Sequence, residues 1–106
     1  MSIYLIANIQ VRATRMSDFK AAMARIKAIT GEAGWKLAAA YALRTGRLNM
    51  VIDIWELRDF DHMDAGMQAL ATHAEFPRIQ AILQETVVEE TLSFADALDY
   101  PDAGPI

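Results

Sequence analysis

One aspartate stands in the middle of an apolar, strand-like segment, and this is the position at which the chain is best placed to do chemistry. Residues 49–59 read N-M-V-I-D-I-W-E-L-R-D, so Asp53 shares one side of a strand with Val51 and Trp55. If this side of the strand is buried away from water, desolvation would raise the pKa of the carboxyl group and make Asp53 a candidate general base. The alternative is a wetter rim, where Asp53 pairs with Arg12, Arg44 or Arg58.

Polar and aromatic side chains nearby could orient a substrate. Asn8, Gln10 and Arg12 form a row on the first predicted strand, and amide donors in such a row can stabilise an enolate oxygen as in an oxyanion hole. The same row is typical of the solvated side of a strand. Aromatic residues such as Tyr41 also pack in cores or interfaces by default. The predicted substrate-binding residues are Asn8, Tyr41, Asn49 and Trp55.

The two histidines are candidates for proton transfer but not for a shared metal site. His62 and His73 are eleven residues apart, which separates them by about 16 Å along a helix axis. They cannot hold the same ion, and no metal site is predicted. Each alone could shuttle a proton or ligate haem iron, since imidazole titrates near neutral pH. His73 could equally be a helix C-terminal histidine favoured by the macrodipole.

Two-residue and helical periodicities alternate in the first half of the chain and predict the elements that would position these side chains. Residues 3–13 alternate as a strand, and a helix follows from residue 17, with Ser17 or Thr14 as N-cap and Gly31 and Gly34 past its end. Residues 35–44 and 48–57 form a predicted hairpin. Alanine disfavours the first of these strands, but the bracketing glycines favour it. Its alternation places Trp35, Leu37, Ala39, Tyr41 and Leu43 on one side.

The second half of the chain predicts two helices and a last strand. Asp59 or Asp61 caps a helix that ends near His73. A shorter helix spans residues 75–85 with Pro77 in its first turn, and residues 87–94 form the final strand. The order β-α-β-β-α-(α)-β predicts an α+β, ferredoxin-like domain with an antiparallel four-stranded sheet. The predicted domain covers residues 1–94, and residues 95–106 form an acidic, proline-containing tail.

Composition limits the classes of partner. The chain has 106 residues, a net charge of −4 and ten scattered Lys and Arg residues, which argues against nucleic-acid binding. It has no cysteine, so thiolate chemistry is excluded. No apolar run approaches the roughly 20 residues that span a bilayer, and the N-terminus lacks a secretory pattern. We therefore expect a soluble, cytoplasmic protein that binds neither nucleic acid nor membrane.

The predicted sheet has too few helices to cover both of its faces. Two long helices cover one face of a four-stranded sheet, whereas both sides of residues 50–55 carry apolar side chains. An uncovered apolar face of this kind marks an interaction surface. Packing against a second copy by two-fold symmetry covers it, so we predict a homodimer.

Several positions resemble the core pattern of the NIPSNAP family over residues 3–94. The matching residues are Ile3, Tyr4, Phe19, Gly46, Asn49, Val51, Trp55, Asp59 and Pro77. The family often carries a Glu-Leu-Arg-x-Tyr run after the first tyrosine, where this chain reads L-I-A-N-I. The missing arginine and tyrosine would change any pocket built on the first strand.

The resemblance implies a ferredoxin-like domain that closes a dimeric α/β barrel. The wider superfamily includes cofactor-free monooxygenases, cyclases, isomerases and haem-degrading enzymes, and some of these use a histidine in roughly the region of His73. We therefore expect a homodimer that binds a small hydrophobic or aromatic metabolite in a pocket between sheet and helices. Any catalysis would be proton transfer without metal or organic cofactor, with Asp53 or His73 as base and with Asn8 and Tyr41 orienting the substrate oxygen. The alternatives are a non-catalytic binding module and a haem-binding or haem-degrading enzyme.

Overall fold

A computed structural model describes residues 2–105 of the chain. Its elements, in chain order, are β1 (Ile3–Val11), a short 3-10 turn (Ala13–Arg15), α1 (Met16–Glu32), β2 (Lys36–Ala42), β3 (Met50–Leu57), α2 (Phe60–Thr72), α3 (Phe76–Thr86) and β4 (Val87–Asp96). The predicted order of strands and helices is confirmed. β4 continues two residues beyond its predicted end, because Ala95 and Asp96 still pair with β1.

The four strands form one antiparallel sheet in the spatial order β2-β3-β1-β4. This is the ferredoxin-like arrangement, and it confirms the predicted fold class. β1 and β3 occupy the centre, and Asp53 lies opposite Ala7 of β1. Asp53, the candidate general base, therefore lies on a central strand of the sheet and not at an edge.

Alternation along the two central strands divides the sheet into a covered face and an open face. The covered face packs against the helices and contains Leu5, Ala7, Ile9, Val11, Val51, Asp53, Trp55 and Leu57, all buried. On the open face, no helix of the described residues 2–105 packs against the strands. This face contains Tyr4, Ile6, Asn8, Gln10, Met50, Ile52, Ile54 and Glu56, all partly buried. The two sets follow from the two-residue period of a strand.

Helix α1 contributes more buried residues above the covered face than α2 or α3. Phe19, Ala22, Ile26 and Ile29 recur at three- and four-residue steps on that helix and are buried against the sheet and the other helices. Leu70 of α2 and Ile79 of α3 complete the layer. The helical stripe and the strand alternation thus meet in two hydrophobic clusters, one that contains Ile26, Ile29 and Trp55 and another that contains Phe19, Ile9 and Val51.

The ends of α1 differ from the prediction. Neither Thr14 nor Ser17 caps the helix, because Thr14 lies in the 3-10 turn and the N-cap position is Arg15. Gly31 lies inside the helix and not beyond it. Gly34, with a φ of 95°, follows the helix end, and the Trp35 N–H donates to the Thr30 carbonyl at 3.0 Å. Glycine suits this left-handed position because it has no Cβ.

The limits of the other two helices agree with the prediction. The Asp59 side chain accepts a hydrogen bond from the His62 N–H at 2.8 Å, so Asp59 is the N-cap of α2. His73 follows the last residue of α2, and Pro77 lies in the first turn of α3.

No helix within residues 2–105 is long and apolar enough to cross a membrane.

The alanine-rich segment is a strand, as predicted, but its faces are not the predicted ones. The pairing register shifts between Leu37, which lies opposite Trp55, and Ala39, which lies opposite Ile54. One extra residue at this β-bulge reverses the alternation. Ala40 consequently lies opposite Asp53, and Tyr41 lies opposite Ile52 of the open face.

Candidate functional site

Asp53 is buried on the covered face, with 4% of its surface exposed. It takes part in no ion pair or side-chain hydrogen bond among residues 2–105. The predicted alternative of an arginine partner is wrong: the Arg58 guanidinium lies 3.5 Å from Asp59, and the Arg12 Nε donates to the Glu85 carbonyl at 3.0 Å. The Asp53 carboxyl group is therefore isolated, in the sense that no side chain of residues 2–105 pairs with it.

Burial changes the acidity of this isolated group. Desolvation is the main cause, and the charge of Glu90 adds to it, so that the pKa of Asp53 rises from 3.8 to about 6. The predicted direction is confirmed. A carboxylate with a pKa close to neutral pH is a stronger base than an ordinary aspartate and is still mostly ionised at physiological pH.

Two adjoining cavities lie between the helices and the covered face, and Asp53 borders both. The first, of about 410 Å³, lies between α1 and β2, and the second, of about 440 Å³, lies between the sheet, α2 and α3. Phe19, Met23, Asp53 and Trp55 line both of them. Volumes of this size are typical of small-molecule pockets.

The first cavity exists because small side chains face each other across it. Ala24 of α1 and Ala40 and Ala42 of β2 line this gap. The bulge in β2 turns these two alanines toward α1, since they lie opposite Asp53 and Val51 of the covered face. A regular strand would have presented a different set of side chains.

Trp55 provides a rigid wall beside Asp53. Its ring meets that of Trp35 edge to face, with centroids 5.6 Å apart and an interplanar angle of 64°. The Trp35 Nε1 donates to the His62 carbonyl at 2.8 Å. Gly66 of α2 packs so closely on the Trp35 indole that a Cβ at this position would overlap the ring. The pair is fixed from both sides, which holds the aromatic wall in place.

The other predicted substrate-binding residues do not all reach this site. Asn8 lies opposite Ile52 and Thr91 on the open face, away from Asp53. Asn49 precedes β3 in a left-handed conformation with a φ of 60°, and its carbonyl accepts the Val11 N–H at 2.9 Å. Tyr41 borders the first cavity and is 59% exposed. Asp53, Trp55 and Tyr41 therefore border the same cavity, with Tyr41 largely exposed, whereas Asn8 and Asn49 do not border it.

His62 is held by hydrogen bonds to the main chain through both ring nitrogens. Its Nδ1 accepts the Arg58 N–H at 2.9 Å, and its Nε2 lies 2.8 Å from the Ala33 carbonyl. A carbonyl only accepts, so these partners fit the tautomer that carries a proton on Nε2. This histidine ties the end of α1 to the start of α2.

His73 lies apart from the cavities. It follows the last turn of α2, its Nδ1 accepts the Glu75 N–H at 3.0 Å, and the Glu75 carboxylate lies 3.7 Å from the same nitrogen. It lines neither cavity that Asp53 borders. Within residues 2–105, no group of three or more His, Asp or Glu side chains is arranged to hold a metal ion.

Glu90 is a site residue that the sequence interpretation missed. It lies on β4, borders the second cavity together with Asp53, and is exposed at its rim. Partial burial raises the pKa of this carboxyl group. The alternation of Glu90 with Leu92 and Phe94 was the signal that could have placed it on the covered face.

The NIPSNAP family model matches residues 4–97, which is nearly the whole chain. The chain belongs to the NIPSNAP family. The match confirms the resemblance drawn from the tyrosine of β1, the Asn-x-Val-x-x-x-Trp strand and the acidic helix start. No curated protein matches the chain.

Solved structures with low sequence identity share the fold of this NIPSNAP protein. An uncharacterised NIPSNAP-like domain protein from Burkholderia xenovorans has a TM-score of 0.78 at 17% identity, over 98% of this chain and 91% of its own. A putative antibiotic biosynthesis monooxygenase from Caulobacter crescentus has a TM-score of 0.73 at 14% identity, over 92% of this chain and 91% of its own.

SnoaB, a cofactor-independent oxygenase from Streptomyces nogalater, has a TM-score of 0.68 at 14% identity, over 96% of this chain and 98% of its own. At such identities, the likeness shows the fold alone. The NIPSNAP domain thus shares its architecture with oxygenases, while its own reaction has to be argued from its own residues.

Proposed function

We propose that this NIPSNAP protein is a homodimer that binds a small hydrophobic or aromatic metabolite between α1 and the sheet, and that Asp53 removes a proton from it without a metal or organic cofactor. The observation that carries the proposal is the position of Asp53, an isolated carboxyl group that borders two apolar cavities. Few structural roles account for such a group, because burying a carboxylate without a partner costs stability.

The reaction step follows from ordinary acid–base chemistry. The Asp53 carboxylate accepts a proton from an acidic C–H or O–H group of the ligand, and the bonding electron pair stays on the ligand as an enolate or phenolate. The protonated carboxyl group later returns the proton to the product or to water. Cofactor-free isomerisation, cyclisation and oxygenation can all begin with this step. A pKa of about 6 suits Asp53 to it.

Of the two predicted bases, Asp53 is favoured over His73. His73 lines neither cavity, and its Nδ1 is occupied by the Glu75 N–H. The same position gives no support to His73 as an axial ligand for haem in either cavity. Tyr41 and Trp55 border the first cavity and are the proposed ligand-orienting residues. Asn8 and Asn49 would have to contribute from outside the cavity.

Proton abstraction can be measured with a simple enolisable aromatic ketone. In D₂O, the protein should accelerate deuterium exchange at the acidic carbon of tetralone, followed by NMR. Asp53→Asn should abolish the acceleration, whereas Glu56→Gln, on the open face of the same strand, should preserve it. A ¹³C titration should also give Asp53 a midpoint near 6.

The competing class of function is a binding module without catalysis. It predicts that aromatic ligands bind while exchange stays at the background rate in both variants. An Asp53 midpoint at the ordinary aspartate value would remove the physical basis for the catalytic proposal.

The proposed homodimer would cover the open face of the sheet. Ile6, Met50, Ile52 and Ile54 form a contiguous, partly buried apolar surface there, with no helix over it. Two copies related by a two-fold axis can bury this surface against each other. Light scattering should give twice the chain mass of 11.8 kDa.

A charged variant tests which surface forms the dimer. Ile54→Arg should give a folded monomer, because burying an unpaired guanidinium in the interface is costly. Ala28→Arg places the same charge on the exposed side of α1 and should leave the dimer intact. A dimer that persists in Ile54→Arg would place the interface elsewhere.

A further inference from the structure

The first cavity opens to solvent between α1 and β2, and two lysines flank this opening. Lys20 and Lys27 both border the cavity and are exposed. They are seven residues apart, so two helical turns, about 10 Å, bring them to one side of α1. Ala24 lies between them and leaves the entrance open. We refer to Lys20, Ala24 and Lys27 as the lysine mouth.

The charges of the lysine mouth are not neutralised by neighbouring carboxylates. No acidic residue stands three or four positions from Lys20 or Lys27, and neither lysine forms an ion pair among residues 2–105. The arginines nearby behave differently: Arg15 pairs with Asp18 and Glu85, and Arg25 pairs with Glu75. Two of the three lysines of an acidic chain therefore stand together with their charges available.

The opposite end of the site has the opposite charge. Glu90 and Gln84 border the second cavity, and the carboxylate of Glu90 acts on Asp53 across the shared space. An anionic ligand group is repelled at that end and attracted at the lysine mouth. The charge distribution thus favours one orientation of an anionic ligand, with its charged group at the lysine mouth and away from Glu90.

We propose that the ligand is an amphipathic anion, whose apolar or aromatic body lies against Val51 and Trp55 and whose carboxylate or similar group is held at the lysine mouth. This inference rests on the proposed ligand-binding function and adds the substrate class and its orientation. The acidic group that meets Asp53 then lies on the part of the ligand distant from its anionic end. Lys20 and Lys27 are specificity-determining residues, and they take no part in proton transfer.

A pair of fluorescent probes of the same shape tests the proposal. Anthracenecarboxylate and the uncharged anthracenemethanol differ in one charged group, and fluorescence anisotropy measures the binding of each. The carboxylate should bind more tightly to the wild-type protein. Lys20→Met combined with Lys27→Met should weaken its binding by about two- to fivefold per lysine, as for exposed ion pairs, and should leave the alcohol unaffected. Added salt should reduce the preference by screening.

Matched controls locate the effect. Lys36→Met removes the third lysine, which borders neither Asp53 cavity, and should leave both affinities unchanged. Ala24→Phe should obstruct the entrance and weaken both probes, whereas Ala28→Phe, at another exposed position of α1, should not.

The possible results separate this inference from the function on which it rests. If both probes bind equally and the double lysine variant affects neither, the inference fails while the cavity remains a ligand site. If Lys36→Met weakens the carboxylate as much as the double variant does, the lysine mouth is not the anion site. If neither probe binds to the wild-type protein, both proposals fail.

Discussion

The covered and open faces of the sheet are built from the same strands, yet Asp53, the carboxyl group that no side chain of residues 2–105 pairs with, borders cavities on the covered face. Along β3, Val51, Asp53 and Trp55 are buried under the helices, while Ile52 and Ile54 are partly buried with no helix over them. Burial under the helices removes Asp53 from water, whereas Glu56, the carboxyl group on the open face of the same strand, is only partly buried. The site therefore belongs to the gap between layers and not to the strand alone.

Truncating one side chain on each face of β3 should give the largest difference in unfolding free energy between the two faces. Trp55→Ala removes a buried ring and its edge-to-face partner contact, and should cost about 3–5 kcal/mol of unfolding free energy. Ile54→Ala, on the open face, should cost no more than about half of that in the monomer, because the Ile54 side chain is only partly buried in a single chain. Urea unfolding measures both variants at a protein concentration low enough for light scattering to give the monomer mass. Equal losses under these conditions would mean that Ile54 is as deeply buried within one chain as Trp55.

Neutralising one carboxylate on each face, Asp53 on the covered face and Glu56 on the open face, should give the next largest difference in unfolding free energy. Burial raises the folded-state pKa of Asp53 from 3.8 to about 6, so the folded chain keeps a proton that the unfolded chain has lost. The stability contributed by this group is therefore greatest below about pH 4, falls as the pH rises to about 6, and is constant above.

Relative to the wild type, Asp53→Asn should consequently gain stability as the pH rises from about 4 to 6, by up to about 3 kcal/mol. Glu56→Gln, on the open face, should change the unfolding free energy by less than about 0.5 kcal/mol throughout. Unfolding by urea at several pH values checks this. A flat difference between Asp53→Asn and wild type would show that Asp53 is solvated.

The smallest expected difference concerns two neighbouring alanines of β2. Valine in place of Ala39 or Ala40 should raise strand propensity, and either variant should alter stability by no more than about 1 kcal/mol. Ala40 lines the first cavity, whereas Ala39 lies opposite Ile54 of the open face. Only Ala40→Val should weaken binding of anthracenemethanol, as measured by anisotropy. The reverse result would mean that the β-bulge is absent in solution.

Much of the fold could be predicted from local patterns. Val51, Asp53 and Trp55 alternate with Met50, Ile52 and Ile54, and a strand must place such sets on opposite faces. Asp59 is an effective N-cap because its short carboxylate reaches the His62 N–H without help from the rest of the chain. Such local patterns predicted the order of strands and helices, and this order predicted the ferredoxin-like sheet.

Features that depend on strand register could not be predicted from local sequence patterns. The bulge after Leu37 lies in a run of alanines, which look alike on either face, so no side chain marks the extra residue. Ala39 and Tyr41 were therefore grouped on the side of Leu37, whereas the register places them opposite Ile54 and Ile52 of the open face. Asn8 was grouped with Asp53 because both are polar strand residues, but the pairing of β1 with β3 turns them to opposite faces.

The sequence by itself determined the family, the order of elements and the division of β3 into two sides, because these depend on neighbours within a few residues. Only the tertiary structure decided that Asp53 lies without a basic partner between two cavities, that His73 lies apart from it, and that Lys20 and Lys27 flank the entrance. The reason is physical: desolvation, cavity shape and electrostatic fields arise from groups distant in the chain. Their sum exists only once α1 has packed across the sheet.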